Sequence, residues 1–168
     1  MKSAAAAFGT TVFFVAAPGM VAGLGPWGVN RWHFSSPAWD PLPLRWLGGA
    51  LILIGLLALI ECFARFVTSG RGTPAPPMPT ETLVVSGLYR YVRNPMYIAV
   101  FAVIAGQALW FGDRGTLEYG ALVWLAFALF VMLWEEPTLR RRYGAQYEEY
   151  CSHVRRWWPR LQAWNGSR

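Results

Sequence analysis

Apolar positions along the chain fall into four long blocks, divided by stretches rich in Gly, Pro and charge. Residues 4–24 make the first block, with only small polar residues inside it, and they reach the ~20 residues a membrane-crossing helix requires. Lys2 ahead of the block and Ala16-Ala17 within it also fit a signal peptide. The apolar run continues past any such cleavage point, which favours a retained span. Residues 25–43 read as a loop whose Trp27, Trp32 and Trp39 suit the water–lipid boundary, where indole buries its ring and keeps its N–H wet. Residues 44–67 form a second span with an uncharged centre, followed by Glu61 and Arg65 one helical turn apart. Two readings of that pair stay open: mutual neutralisation near the boundary, or Glu61 as part of a buried polar site, since ionisable groups in a membrane are costly and seldom idle.

The Pro- and Gly-rich stretch TSGRGTPAPPMP, residues 68–79, excludes a regular helix and reads as an extended connector. Residues 81–85 make a short extended or helical piece, and Ser86-Gly87 a turn. Asn94-Pro95 is a helix start by local chemistry, because Asn caps well and Pro suits the first helical position. A third span therefore covers residues 96–111 and a fourth residues 117–134, with Gly112-Asp113-Arg114-Gly115 as the turn between them. After Glu135 the character changes: Leu139, Tyr143, Tyr147 and Tyr150 recur at helical spacing among charges. That pattern predicts an amphipathic helix on the membrane surface, with Arg140 to Arg142 facing headgroups and the tyrosines forming an interfacial stripe.

Composition agrees with a bilayer as solvent. Apolar residues make up 55% of the 168 positions and charged ones 14%, against about 25% charged in soluble domains; mean hydropathy is +0.29. The net charge of +6 is nearly all arginine, Lys2 being the only lysine. These cations avoid the apolar blocks and gather between and after them, which argues against a nucleic-acid surface and for loops on one side of a membrane. Arg65, Arg71, Arg90 and Arg93 flank the second connector, and seven more arginines follow the fourth span. Both termini and that connector are therefore expected in the cytoplasm, and four spans satisfy the parity. The fold expected is an all-α membrane protein with about four transmembrane helices plus a C-terminal amphipathic cytoplasmic helix. Neither Cys62 with Cys151 nor the isolated His33 makes a metal pattern, so no metal is expected and the cysteines read as packing residues.

Two polar segments, residues 81–97 and 135–150, abut helix ends on the same predicted side, where a hairpin of spans three and four would enclose a pocket. TETLVVSGLYRYVRNPMY contains a G-x-Y-x-x-x-R-[HN]-P-x-Y block; about 40 residues later EEPTLRRRYGAQYEEYCSHVRRWWP contains E-E-x-x-L and then Y-G-x-x-Y. Together, over roughly residues 70 to 160, they resemble the isoprenylcysteine carboxyl methyltransferases and their relatives, the phospholipid N-methyltransferases. The resemblance implies S-adenosyl-L-methionine as cofactor, with Leu83, Val84, Tyr89, Asn94, Pro95, Met96 and Tyr97 lining it and Glu135 and Glu136 closing the site. A methyl transfer is expected in which Arg93, Asn94 and Glu135 take part, with Arg93 orienting an anionic group of the acceptor because a guanidinium can bind it bidentately. Many relatives carry His at the position of Asn94, and Asn cannot shuttle a proton near neutral pH. The prenylcysteine enzymes place an arginine shortly before the Glu pair, where this chain has Val131-Met132-Leu133-Trp134.

On this reading residues 1–67 form an N-terminal transmembrane hairpin, and residues 68–168 form the methyltransferase core with two further spans and the interfacial helix. The expected setting is a bacterial inner membrane, and the expected partners are the bilayer and a lipidic or hydrophobic acceptor: a carboxylate, amine or thiol. A non-catalytic membrane binding or assembly protein on the same scaffold is the alternative. A small transporter is the other rival, opposed by the few spans and the lack of any internal repeat.

Overall fold

The computed structural model describes residues 16–35, 42–66, 68 and 82–166. The first part of the predicted first span (residues 4–15), Trp39 and nearly all of the Pro-rich connector lie outside them. Among the described residues every regular element is helical. Helix α1 covers residues 16–30 and contains a π-helical turn, Gly19–Leu24, that runs straight into Gly25–Asn30. Helix α2 is Leu42–Arg65, a 3-10 turn covers Gly87–Arg90, and helix α3 is Pro95–Phe111. Helix α4 runs without a break over Arg114–Tyr143, with a second π turn at Val131–Glu135. Helix α5 is Ala145–His153, and an irregular tail follows it.

Three boundaries differ from those read in the sequence. The loop expected from residue 25 begins at Arg31, where Arg31 and Trp32 take positive φ and end the helix. Helix α4 begins at Arg114 because the Asp113 carboxylate accepts from the Thr116 amide at 2.5 Å, a capping bond that satisfies an otherwise orphaned donor. The change of composition at Glu135 does not end that helix; Gly144, at φ +50°, does.

Helices α2 and α4 are long and apolar enough to cross a membrane, while the apolar α3 has 17 residues and is shorter. Leu53, Leu57 and Ile60 on α2, and Leu122, Leu125, Leu129 and Leu133 on α4, are exposed. Their spacing of three, four and seven puts each set on one outward stripe. Hydrated leucine stripes of that length would forfeit about 1.5–3 kcal/mol per side chain; hydrocarbon removes the penalty. The molecule is a membrane protein.

Helix α3 is the centre, packing on α1, α2 and α4. Its seam with α2 is closed by glycines: a Cβ on Gly48 would lie 2.6 Å from the Gly106 carbonyl oxygen, and one on Gly106 would lie 2.7 Å from that of Gly48. One heptad along, Gly55 meets the Ala99 carbonyl in the same way. Apolar burial provides no drive between helices in lipid, so backbone contact across small residues supplies the packing instead.

Both π turns end two residues before a proline. The Gly25 amide bonds back to the Met20 carbonyl, releasing that of Val21, and Pro26 has no N–H to offer Ala22. Neighbouring helices take up the freed oxygens: Tyr119 Oη donates to Val21 at 2.8 Å and Gln107 Nε2 to Ala22 at 2.6 Å. Trp32 Nε1 completes the set by donating to Gln107 Oε1 at 3.2 Å. Gln107→Leu therefore orphans a buried carbonyl and is expected to destabilise the protein by about 1–3 kcal/mol. A lowered thermal unfolding midpoint in detergent checks this; an unchanged midpoint refutes it.

Candidate active site

A cavity of about 720 Å³ opens where the end of α1, the segment from Leu83 to Tyr97 and the adjoining ends of α4 and α5 converge. Ala17, Pro18, Val21, Val100, Phe127 and Phe130 form its apolar side; Arg93, Asn94, Tyr97, Glu135, Glu136 and Tyr147 are among its polar residues. Both proline-linked π turns contribute to the wall. Each widens its helix locally, and the second sets Glu135 and Glu136 at the cavity just before Pro137.

Leu83, Val84, Tyr89, Asn94, Met96, Tyr97, Glu135 and Glu136, all singled out in the sequence, lie on this one wall, as does Arg93. Pro95 does not; it is buried in the first turn of α3. Asn94 occupies the capping position without capping: its side chain makes no bond to the helix and instead donates from Nδ2 to the Arg156 carbonyl at 3.2 Å. The cap expected of Asn94 is thus replaced by a tie to the tail.

The Leu83–Tyr97 segment is held from two sides. Gly87 adopts φ +56° beneath the Glu61 carboxylate, with no room for a Cβ. Glu61 accepts from Arg65 Nε at 2.7 Å and from the Leu88 amide at 3.5 Å. The i, i+4 pair therefore forms and also props up the turn; Glu61 is not on the cavity wall. From the other side Tyr150 Oη donates to the Tyr89 carbonyl at 2.6 Å, while Phe66 packs edge-on against the Tyr89 ring.

The two adjacent glutamates have different surroundings. Glu136 is 2% exposed and receives Arg156 Nε at 2.7 Å and Nη2 at 2.8 Å, a bidentate pair. Arg93 Nη1 stands 3.3 Å and Arg140 Nη2 3.7 Å from the same carboxylate. Glu135 has no cation paired with it among the described residues; Tyr97 Oη donates to its Oε2 at 2.7 Å. Hydrogen bonding to Glu136 pushes the Arg156 guanidinium above its usual pKa. Burial pushes the phenols of Tyr89, Tyr147 and Tyr150 up, so they stay neutral hydrogen-bond donors at physiological pH. Arg93 also donates to Cys151 Sγ, and its Nε is buried without a partner. The guanidinium expected to orient an acceptor meets Glu136 and Cys151 and lies on the cavity wall.

The tail corrects the predicted surface helix. Gly144 divides the amphipathic stretch, and α5 turns Tyr147 and Tyr150 inward, 2% and 3% exposed, rather than toward lipid. Arg140 pairs with Glu148 at 2.8 Å, and Arg141 and Arg142 line the cavity. Beyond α5 the chain doubles back along the Arg90–Asn94 stretch. The Arg93 amide donates to the Arg155 carbonyl, that of Arg160 to Tyr91 and that of Trp164 to Arg90, each at 3.0 Å. Trp157 packs on Trp124 of α4 at a ring distance of 4.7 Å. The sequence reading did not identify Arg156 as part of the site; RRWWP is visible as a basic and aromatic cluster, but periodicity does not show that it folds back.

The sequence model described as phospholipid methyltransferase matches residues 44–146, which takes in α2, the Leu83–Tyr97 segment, α3, α4 and both glutamates. The protein-S-isoprenylcysteine O-methyltransferase of Schizosaccharomyces pombe (strain 972 / ATCC 24843) is 30% identical over 95 residues, 56% of this chain. The alignment spans 37% of that relative's length. No solved structure matches the chain. More than half of the sequence, including the wall that joins Tyr97 to Glu135, is shared with one group of membrane enzymes: the chain belongs to the phospholipid methyltransferase family.

Proposed function

We propose that the protein moves a methyl group from S-adenosyl-L-methionine to a lipidic or hydrophobic acceptor, with its termini and the polar mouth of the cavity on the cytoplasmic side of four spans. The observation that carries this reading is Glu135: a carboxylate with no paired cation among the described residues, fixed by Tyr97, on the wall of a cavity that is apolar on one side and polar on the other. Family membership supports the reaction type.

The residues fit the cofactor. S-adenosyl-L-methionine, when bound, supplies an electrophilic methyl on a sulfonium together with an ammonium, a carboxylate and a ribose diol. The Glu135 carboxylate opposes the positive charge or accepts from the ammonium or ribose hydroxyls. Tyr97, Phe127 and Trp134 present aromatic faces suited to a cation. The N-terminus of α3 offers free amides to a carboxylate.

The chain's own contribution is largely alignment. Tyr97 pins Oε2 of Glu135 and leaves Oε1 for a ligand. Val21, Val100, Phe127 and Phe130 hold the apolar part of the acceptor and exclude water. A carboxylate or thiolate acceptor needs no base; for an amine, Glu135 Oε1 is placed to accept the proton.

Protein reconstituted in native lipids is expected to bind S-adenosyl-L-methionine in calorimetry. It should also pass a labelled methyl group into the lipid fraction rather than into protein or water-soluble molecules. Absence of cofactor binding rejects the proposed chemistry, and label recovered in water-soluble product rejects the lipidic acceptor.

A further inference from the structure

Arg156 lies outside residues 44–146, which the family model matches, and forms no part of the cavity wall. It nevertheless bonds to both polar blocks of the site. Its carbonyl accepts from Asn94 Nδ2 at 3.2 Å, just ahead of α3, and its guanidinium grips both oxygens of Glu136, at 2.7 and 2.8 Å, at the end of the second π turn.

Resting on the methyltransferase reading, we propose that Arg156 is a positioning residue for the cofactor. It holds Glu136 in the wall and so leaves Glu135 as the unpaired carboxylate that faces the ligand. Two neighbouring buried carboxylates cannot both stay ionised unless at least one is matched by cations and hydrogen bonds. Glu136 has that match, and its two shortest bonds come from Arg156. Arg93 and Arg140 stand farther off, and the Arg140 side chain is 44% exposed. Without Arg156, Glu136 keeps its charge with only the longer approaches of Arg93 and Arg140 to meet it. The strain falls on the residue just before it, Glu135, the last of the π turn.

The planar fork matters as well as the charge. An ammonium in place of the guanidinium is a point charge and cannot meet both carboxylate oxygens in the plane. The tail, through this one residue, becomes part of the cofactor site although it touches no ligand.

The test is a double-mutant cycle on the full chain in native-lipid nanodiscs, using Arg156→Met, Arg156→Lys, Glu136→Gln and the Met/Gln double variant. The readouts are KM for S-adenosyl-L-methionine, kcat, and S-adenosylhomocysteine binding by calorimetry. Arg156→Met is expected to raise KM for the cofactor by about 30-fold, the low end for truncating one partner of a hydrogen-bonded charge pair, since Glu136 is buried and the Arg156 side chain is 33% exposed, with kcat nearly unchanged. Arg156→Lys should recover little of that loss. In the Glu136→Gln background the Arg156→Met change should add less than about twofold, because both act through one contact. Should Arg156→Met not survive purification, Arg156→Lys with and without Glu136→Gln runs the same cycle. Additive effects, full rescue by lysine, or an unchanged KM overturn the assignment while the methyltransferase reading stands. A wild-type protein that binds neither cofactor nor product overturns both.

Discussion

Glu135→Gln is expected to lower methyl transfer by about 10²-fold or more while leaving the protein folded. The side chain sits on the cavity wall, and its hydrogen bond within the site comes from Tyr97. Glutamine keeps the shape and an oxygen for that phenol, so the packing of α3 against α4 is preserved. What goes is the negative charge. A site that holds a cationic cofactor loses its opposing charge, and an amine acceptor loses the carboxylate able to take its proton. Initial rates in reconstituted membranes, read beside the thermal unfolding midpoint, separate the two effects. Wild-type rates in the variant would remove Glu135 from the mechanism. Tyr97→Phe keeps the charge and is expected to lose about tenfold, the value of one hydrogen bond to a charged group.

Gly106→Leu is expected to prevent folding outright. The new Cβ would lie 2.7 Å from the Gly48 carbonyl oxygen and 2.9 Å from the Ile52 amide nitrogen. Both are backbone atoms of a packed helix and cannot rotate away. Forcing α2 and α3 apart also opens the matching contacts at Gly48 and Gly55, so the cost exceeds the ~1–3 kcal/mol of an ordinary overpacked core site. Gly28 faces open space, and Gly28→Leu is the control that should leave folding intact. The comparison is the yield of monodisperse protein in mild detergent; equal yields would show that the seam is not as tight as described.

Much of the frame was legible in the residues because it depends on local rules. The length of the apolar blocks marks α2 and α4, Asn94-Pro95 marks the start of α3, and the two motif blocks meet where a hairpin would bring them. Other features depend on partners distant in sequence. Asn94 has the right side chain for a cap, yet the Arg156 carbonyl competes for it from 62 residues away. Leu139, Tyr143, Tyr147 and Tyr150 have the spacing of a surface stripe, but Gly144 breaks the helix and turns the last two tyrosines inward. The tail's return along the Arg90–Asn94 stretch uses backbone hydrogen bonds, which side-chain periodicity does not encode. Neither π turn shows in the apolar pattern, although Pro26 and Pro137 are the local cause of both.

The first helix cannot satisfy itself. The oxygens of Val21 and Ala22 find their donors on Tyr119 and Gln107, 98 and 85 residues further along. During synthesis those donors leave the ribosome long after the segment that needs them, and an unmet carbonyl in hydrocarbon costs several kcal/mol. Until they do, this helix carries two unmet carbonyls on the face it packs against its neighbours. Its hydrogen bonding is complete only once α3 and α4 are in place, the same two helices that bring Val100, Phe127 and Phe130 to the cavity wall.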